Sequence, residues 1–490
     1  MTAHYLAFDF GAESGRAIQA SLRSGILEIN EIDRFQNEPV RASGSLRWDI
    51  LRLWFEMQRV LGGSSLPEFD SIGVDTWGVD YALLGERGNL IENPYHYRDG
   101  RTESAMEAVL KRVPREEIYA QTGIQFLSFN TLYQLFAACD ATPKLIDAAQ
   151  SLVTIPDLLN YWLTGRISCE YTNATTTQFV DPRTRSWATK LLTRLNLPTR
   201  ILSPIVEPGT VIGKVTNTAS HMPVGTPVVA PACHDTGSAV ASVATWPQSA
   251  FLSSGTWSLL GAELPAPIMT PRACELNFTN EGGACGTVRT LKNIAGLWLL
   301  QSCRKSWAAT GERYSYDELL AAAEADKHNA FRSLFDPDHS SFLRPDDMPS
   351  AIANYCIQTE QPVPQGRPAF ARAILESLAF KYREILESLE ELTGNHFNEI
   401  RIIGGGSKNR LLNQFTANAT RRTVVAGPFE ATALGNIAMQ MLATGAVAAL
   451  GEARAIIDRS FPVQRFEPFE ADEWNSQYRR FQHYLEHVHA

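Results

Sequence analysis

The chain has 490 residues, 44% hydrophobic and 20% charged, which is ordinary globular composition and excludes a disordered, collagen-like or coiled-coil protein. At roughly 150 residues per domain, that length suggests about three domains or two large ones. Forty-four Lys and Arg against 53 Asp and Glu give a net charge of −9, which argues against a nucleic-acid or anionic-membrane binder but not against binding a phosphorylated small molecule.

In chain order, Tyr5–Phe10 (YLAFDF) is a predicted strand, Gly11–Gly15 a turn, and Arg16–Leu22 and Ile26–Phe35 are two more strands. A helix is predicted over Ile50–Leu61, with Asp49 as its cap. Ser71–Leu84 (SIGVDTWGVDYALL) reads as a strand, a Gly-containing turn and a second apolar run. Helices and polar loops alternate through Lys190, with Trp162–Gly165 closing one helix. Ser249–Glu263 (SAFLSSGTWSLLGAE) sets out a second hairpin patterned like the first. Tyr5–Ala20 and Ser249–Leu264 therefore suggest one structural unit used twice, although sequence identity between them is slight. A long helix over Arg367–Leu392 leads into Glu399–Gly406 (EIRIIGGG), a strand ending in three glycines. Leu411–Thr420 and Ala431–Leu442 follow as helices, and the polar, aromatic tail from Glu467 is also read as helical.

Ala241–Gln248, which contains Pro247, is the expected boundary between the halves. It divides the chain into 1–245, 246–452 and a helical tail, 453–490. The uncharged stretches Thr236–Ala262 and Ala431–Gly451 lack the dense Leu, Ile, Phe and Val of a spanning helix, so both are expected to be buried segments. Seven scattered cysteines with no CxxC pair fit reduced thiols rather than a disulfide framework or a zinc ribbon. Met1–Arg16 is not a basic-led apolar leader, and a cytoplasmic protein is expected.

The P-loop signature, GxGxxG, HExxH and GxSxG are all absent. Four local signals remain. Asp9-Phe-Gly11-Ala-Glu-Ser14-Gly15-Arg16 places a carboxylate at the lip of a turn whose N–H groups can nest an anion, while the Asp can hold Mg²⁺ through water. The bland alternative is a hairpin with an exposed Asp. Ala230–Thr236 (APACHDT) ends an apolar run at Asp235, where a carboxylate can accept a proton from a hydroxyl. Alternatively His234 is a satisfied histidine and Asp235 a plain cap. Gly404-Gly405-Gly406-Ser407 lets a flat group such as adenine lie against backbone, or is simply a tight turn. Ser253-Ser254-Gly255-Thr256-Trp257 offers a second phosphate contact, or ordinary turn chemistry.

Taken in their order along the chain, with the Ser253–Trp257 hairpin before the three glycines, the four signals resemble the FGGY carbohydrate kinases, of the actin/hexokinase/Hsp70-like ATPase fold, from about Tyr5 to about Leu450. The strings YRDGRT (Tyr97–Thr102), GIQFLSFNTLYQL (Gly123–Leu135), EYTNATTTQ (Glu170–Gln178), TNEGG (Thr279–Gly283) and LKNIAGLWLLQ (Leu291–Gln301) resemble the L-rhamnulose-phosphorylating branch of that family. The resemblance implies an α/β fold of two RNase H-like domains enclosing a cleft, with sugar mainly on the N-terminal one and ATP mainly on the C-terminal one. It implies that Ala12, Glu13, Ser14, Gly15, Arg16, Thr256, Gln301 and Gly405 hold ATP. Gly78, His234, Asp235, Thr236 and Asn293 would meet the sugar, Asp235 would be the proton acceptor, and Asp9 would lie near Mg²⁺. The implied reaction makes L-rhamnulose 1-phosphate and ADP in L-rhamnose catabolism. A kinase of another ketose such as L-fuculose, and a non-catalytic sugar sensor on the same fold, stay open as alternatives. Two positions depart from the pattern. Glu13 stands where Ser or Thr is commoner and must point outward, and Ser128 stands where Pro is common.

Overall fold

The computed structural model describes residues 2–63, 67–216, 224–245, 247–343 and 345–488. Its principal elements, in chain order, are β1 (Ala3–Phe10), β2 (Ser14–Arg23), β3 (Ile26–Gln36), α1 (Ile50–Leu61), β4 (Ser71–Thr76), β5 (Thr210–Lys214), β6 (Pro227–Ala230), α2 (Asp235–Ala241), β7 (Ser249–Ser254), β8 (Trp257–Leu264), β9 (Val288–Ala295), α3 (Trp298–Ala309), α4 (Arg367–Thr393), β10 (Glu399–Ile403), α5 (Arg410–Thr420), β11 (Thr423–Ala426), α6 (Ala431–Ala443) and β12 (Gln464–Phe466). They form two compact units. The first comprises Met1–Ala244, Glu263–Thr290 and Glu430–Phe461, and the second Thr245–Ala262, Leu291–Phe429 and Pro462–Ala490.

The first unit is built on a six-stranded sheet in the order β5-β6-β4-β1-β2-β3. β1 runs antiparallel to β2 and parallel to β4. Every residue from Tyr5 to Phe10 is buried, because both faces of β1 are covered, which is why its sequence is an apolar run rather than an alternation. Leu6, Phe8 and Phe10 enter a core with Trp48, Leu53 and Trp77. Tyr5 and Ala7 on the other face pack with Leu434, Ile437 and Ala438 of α6. Asp49 caps α1 by accepting from the Arg52 N–H. Tyr81–Leu84 leaves the sheet and pairs instead with Ser151–Thr154.

The second sheet has seven strands, and six of them repeat the arrangement, in the order β9-β8-β7-β10-β11-β12. β7 is antiparallel to β8 and parallel to β10, as β1 is to β2 and β4. The tail helix, Ala471–Val488, turns Trp474 and Phe481 inward against Phe380.

These units differ from the linear division drawn from the sequence. The 430–461 segment joins the first unit because α6 carries polar anchors as well as apolar ones. Gln440 Nε2 donates to the Leu6 carbonyl at 3.1 Å and Gln440 Oε1 accepts from Ser71 Oγ at 2.8 Å. At the expected boundary, Trp246 lies outside the described residues. Both uncharged stretches are mostly buried, and among the described residues no helix is long and apolar enough to cross a membrane. All seven cysteines are free.

Candidate functional site

In the first unit, β1 and β2 close on a turn in which Gly11 N–H donates to the Ser14 carbonyl at 2.9 Å. Asn37 pins the turn from outside, its Nδ2 donating to the Gly11 carbonyl at 2.9 Å. Glu13 is exposed, so its charge points outward, while Ala12, Ser14 and Arg16 are partly buried. Gly15 is glycine for a reason internal to the protein: a Cβ there would lie 2.2 Å from the Phe35 ring. Asp9 and Arg16 face each other in register and are ion-paired, and Arg16 also pairs with Glu430.

Beside Asp9 in the parallel register stands Asp75 of β4, wholly buried. Asn436 of α6 donates to its Oδ2 at 2.6 Å, while Oδ1 has no hydrogen-bond partner among the described residues. Burial, and then Asp9, hold the Asp75 carboxyl well above the ordinary range, with Asn436 pulling the other way.

β6 ends at a loop held from behind by Glu170, a buried carboxylate that accepts from the N–H groups of Thr172, Asn173 and Cys233 and from Thr172 Oγ. That grip carries His234 and Asp235 to the end of the sheet, where the Thr76 N–H donates to the Cys233 carbonyl at 2.9 Å. Asp235 is the first residue of α2 rather than its cap. Its Oδ1 accepts from Thr236 N–H at 2.5 Å and Thr236 Oγ at 3.2 Å, and lies 3.4 Å from His234 Nε2. No donor among the described residues reaches Oδ2. Burial and Asp9 raise the Asp235 carboxyl, against His234 and Thr236. Gly78 packs against Thr176, where a Cβ would meet that side chain at 3.0 Å. Next to it Trp77 is held by Asp80, which accepts from the indole N–H groups of Trp48 and Trp77 at 2.6 and 3.0 Å.

In the second unit, the β7–β8 turn and the start of α3 come together: Trp298 N–H donates to the Thr256 carbonyl at 3.1 Å. One turn further along α3, the Gln301 Oε1 is buried with no hydrogen-bond partner among the described residues. The parallel pairing of β7 with β10 brings the three glycines beside the same turn. Gly404 has φ +83° and Gly406 abuts Ser254, but Gly405 is exposed with no atom within 4 Å of a Cβ position. Asn293 lies on β9 in the second unit, whereas His234, Asp235 and Thr236 belong to the first.

Residues 4–241 match the N-terminal domain, and residues 250–444 the C-terminal domain, of the FGGY family of carbohydrate kinases. The chain belongs to the FGGY carbohydrate kinases. It is therefore a phosphotransferase, and kinase chemistry of this family implies a sugar, ATP and a divalent metal. It is 44% identical to a rhamnulokinase of Bacteroides thetaiotaomicron over 98% of this chain and 99% of that protein. It is 43% identical to a rhamnulokinase of Pectobacterium atrosepticum, over 97% and 95%. Among solved structures, a ligand-bound xylulose kinase from Lactobacillus acidophilus superposes with a TM-score of 0.83 at 16% identity, covering 100% and 99% of the two chains. A Plasmodium falciparum glycerol kinase with ADP gives 0.76 at 17%, covering 98% and 97%. These two likenesses establish the two-domain FGGY fold.

Asp75, Glu170, Asn436 and the fully buried Arg289, whose Nη2 lies 3.1 Å from His234 Nδ1, stand beside these candidate residues without having been singled out in the sequence. The lone signal for the first two was their place inside unusual strings, VDTWG and EYTNATTTQ.

Proposed function

We propose that this FGGY kinase transfers the γ-phosphoryl group of ATP to the 1-hydroxyl of L-rhamnulose, giving L-rhamnulose 1-phosphate and ADP in L-rhamnose catabolism in the cytoplasm. Near-full-length identity to proteins named rhamnulokinase supports the choice of sugar. One observation carries the chemistry: Asp235 Oδ1 is committed to Thr236 and faces His234, which leaves Oδ2 to act. A sugar hydroxyl is a poor nucleophile at neutral pH, and a carboxylate within reach takes its proton as the bond to phosphorus forms. The raised affinity of Asp235 for a proton suits that role.

In the first unit, Gly78, His234 and Thr236 are proposed sugar contacts, and the Ala12–Arg16 turn a phosphate cradle. In the second, Asn293 is a proposed sugar contact, and Thr256, Gln301 and Gly405 are proposed nucleotide contacts. The unpartnered Gln301 acceptor and the open face of Gly405 support this. Mg²⁺ is the proposed metal, with Asp9 near it. Among the described residues no group of three or more His, Cys, Asp or Glu is placed to hold a metal ion. That suits Mg²⁺, which keeps several waters and binds through one or two carboxylates plus substrate phosphates. When bound, Mg²⁺ neutralises charge on the phosphate oxygens.

The test is coupled ADP release over L-rhamnulose, L-fuculose, D-xylulose and glycerol with ATP and Mg²⁺. L-rhamnulose should exceed the others by at least about a hundredfold in kcat/KM, because a misplaced hydroxyl leaves buried polar groups unpaired. Preference for another of the four overturns the substrate, and no sugar-dependent turnover overturns the kinase.

A further inference from the structure

The chemistry above leaves a fully buried arginine unused. Arg289 has 0% exposure. Its Nε donates to the Gly282 carbonyl at 2.8 Å, and its Nη2 lies 3.2 Å from Glu281 Oε2 and 3.1 Å from His234 Nδ1. A guanidinium has five donors and no acceptor. The imidazole nitrogen that faces it must therefore present its lone pair. A neutral His234 then carries its proton on Nε2, the nitrogen 3.4 Å from Asp235 Oδ1. That distance is long for a finished hydrogen bond and ordinary for a catalytic contact before substrate arrives.

Among the described residues the other tautomer has one available partner. Glu281 Oε2 lies 3.3 Å from His234 Nδ1 and could accept an Nδ1–H. In that arrangement two donors, Arg289 Nη2–H and Nδ1–H, would face each other. At the opposite side of the ring the Nε2 lone pair would face the Asp235 carboxylate. Both contacts are repulsive, in an interior where electrostatic terms are strong. Glu281 instead balances the buried charge of Arg289.

The geometry points to Arg289 as a positioning residue for phosphoryl transfer: it fixes His234 as the Nε2–H tautomer, so that the ring holds Asp235 Oδ1 and leaves Oδ2 for the sugar proton. This rests on the reading of Asp235 as the base. During the reaction the sugar oxygen bonds to the γ-phosphorus as the bond from phosphorus to the ADP oxygen breaks. The hydroxyl proton passes to Asp235 Oδ2, and His234 keeps its own proton throughout.

Nitrogen-15 NMR of the full-length protein labelled at histidine reads the tautomer directly, with His234 assigned from the spectrum of His234→Asn. The wild type should show a pyridine-type Nδ1 and a pyrrole-type Nε2. Arg289→Met should move both signals toward a mixed tautomer and lower kcat about tenfold or more, with KM for ATP little changed. In an Asp235→Asn background the same substitution should cause no further loss of kcat. An Nδ1–H in the wild type overturns the inference, as does an equal loss of kcat in both backgrounds, which marks a structural role. If Arg289→Met fails to fold, the wild-type spectrum decides alone. Near-native turnover of Asp235→Asn would instead defeat the underlying base assignment, whatever the tautomer.

Discussion

The hydroxyl of Ser254 stands where a side chain on Gly406 would have to go: a Cβ there would come within 2.1 Å of Ser254 Oγ. Gly404, with φ +83°, would meet the Ser254 carbonyl at 3.1 Å. Only the middle glycine of the three has open space. The turn thus divides its labour, with the outer residues docking β10 against β7 and Gly405 presenting bare backbone.

Gly405→Val should therefore leave thermal stability nearly unchanged while raising KM for ATP at least about tenfold, a loss of roughly 1.4 kcal/mol in binding. KM for the sugar should move far less. Gly406→Ala should do the opposite, costing about 1–3 kcal/mol of stability through overpacking. Steady-state kinetics and urea unfolding of the two variants separate these outcomes. Equal effects of Gly405→Val on both KM values would mean that the whole turn is structural.

A second close approach lies in the first unit. A Cβ on Gly435 of α6 would sit 1.7 Å from the Ser238 carbonyl of α2, backbone against backbone. Gly435→Ala must push the two helices apart, at a cost of about 1–3 kcal/mol. Because α2 begins at Asp235, kcat should fall as well. Urea unfolding together with kcat checks both, and a variant as stable and active as the wild type would contradict the described packing.

Much of this architecture was legible in the sequence. Both hairpins, α1 with its Asp49 cap, the long α4 and the glycine turn after β10 carry strong local periodicity or turn chemistry, and each forms where expected. The interior polar network was not legible, for a physical reason. Asn436 and Gln440 look like ordinary polar positions on an apolar helix until α6 lies against β1 and β4, more than 350 residues earlier in the chain. Gly15 and Gly435 likewise carry no local sign of the space they leave for Phe35 and Ser238. Arg289 gives no local signal at all, since its meaning depends on His234, 55 positions away.

The carboxylates behind the His234 loop set a pH dependence of stability. Burial, countered by Thr172, pushes the Glu170 carboxyl up to about 8, and burial, countered by Thr154 and the Glu170 N–H, pushes Asp157 up to about 7. Unfolded, both titrate near the ordinary value of about 4. Between those limits the folded state binds more protons than the unfolded state, so stability falls as pH rises from about 4 to 8. Glu170→Gln has no proton to lose, and the fall should become shallower, alongside a general loss of about 1–3 kcal/mol from donors left without an acceptor. Urea midpoints from pH 5 to 8 give the slope. An unchanged slope would show that Glu170 does not titrate in this window.

In the proposed transfer Asp235 takes the sugar proton, and kcat for Asp235→Asn with L-rhamnulose, ATP and Mg²⁺ measures that role most directly. Asn has nearly the same shape and keeps an oxygen for Thr236, so the fold and sugar binding should survive, as circular dichroism and sugar titration can verify. ATP affinity should change little, since its proposed contacts lie in other segments. With the base removed, kcat should drop by a factor on the order of 10² or more. A folded Asp235→Asn protein that turns over at close to the native rate would exclude Asp235 as the base, which would then have to be sought elsewhere.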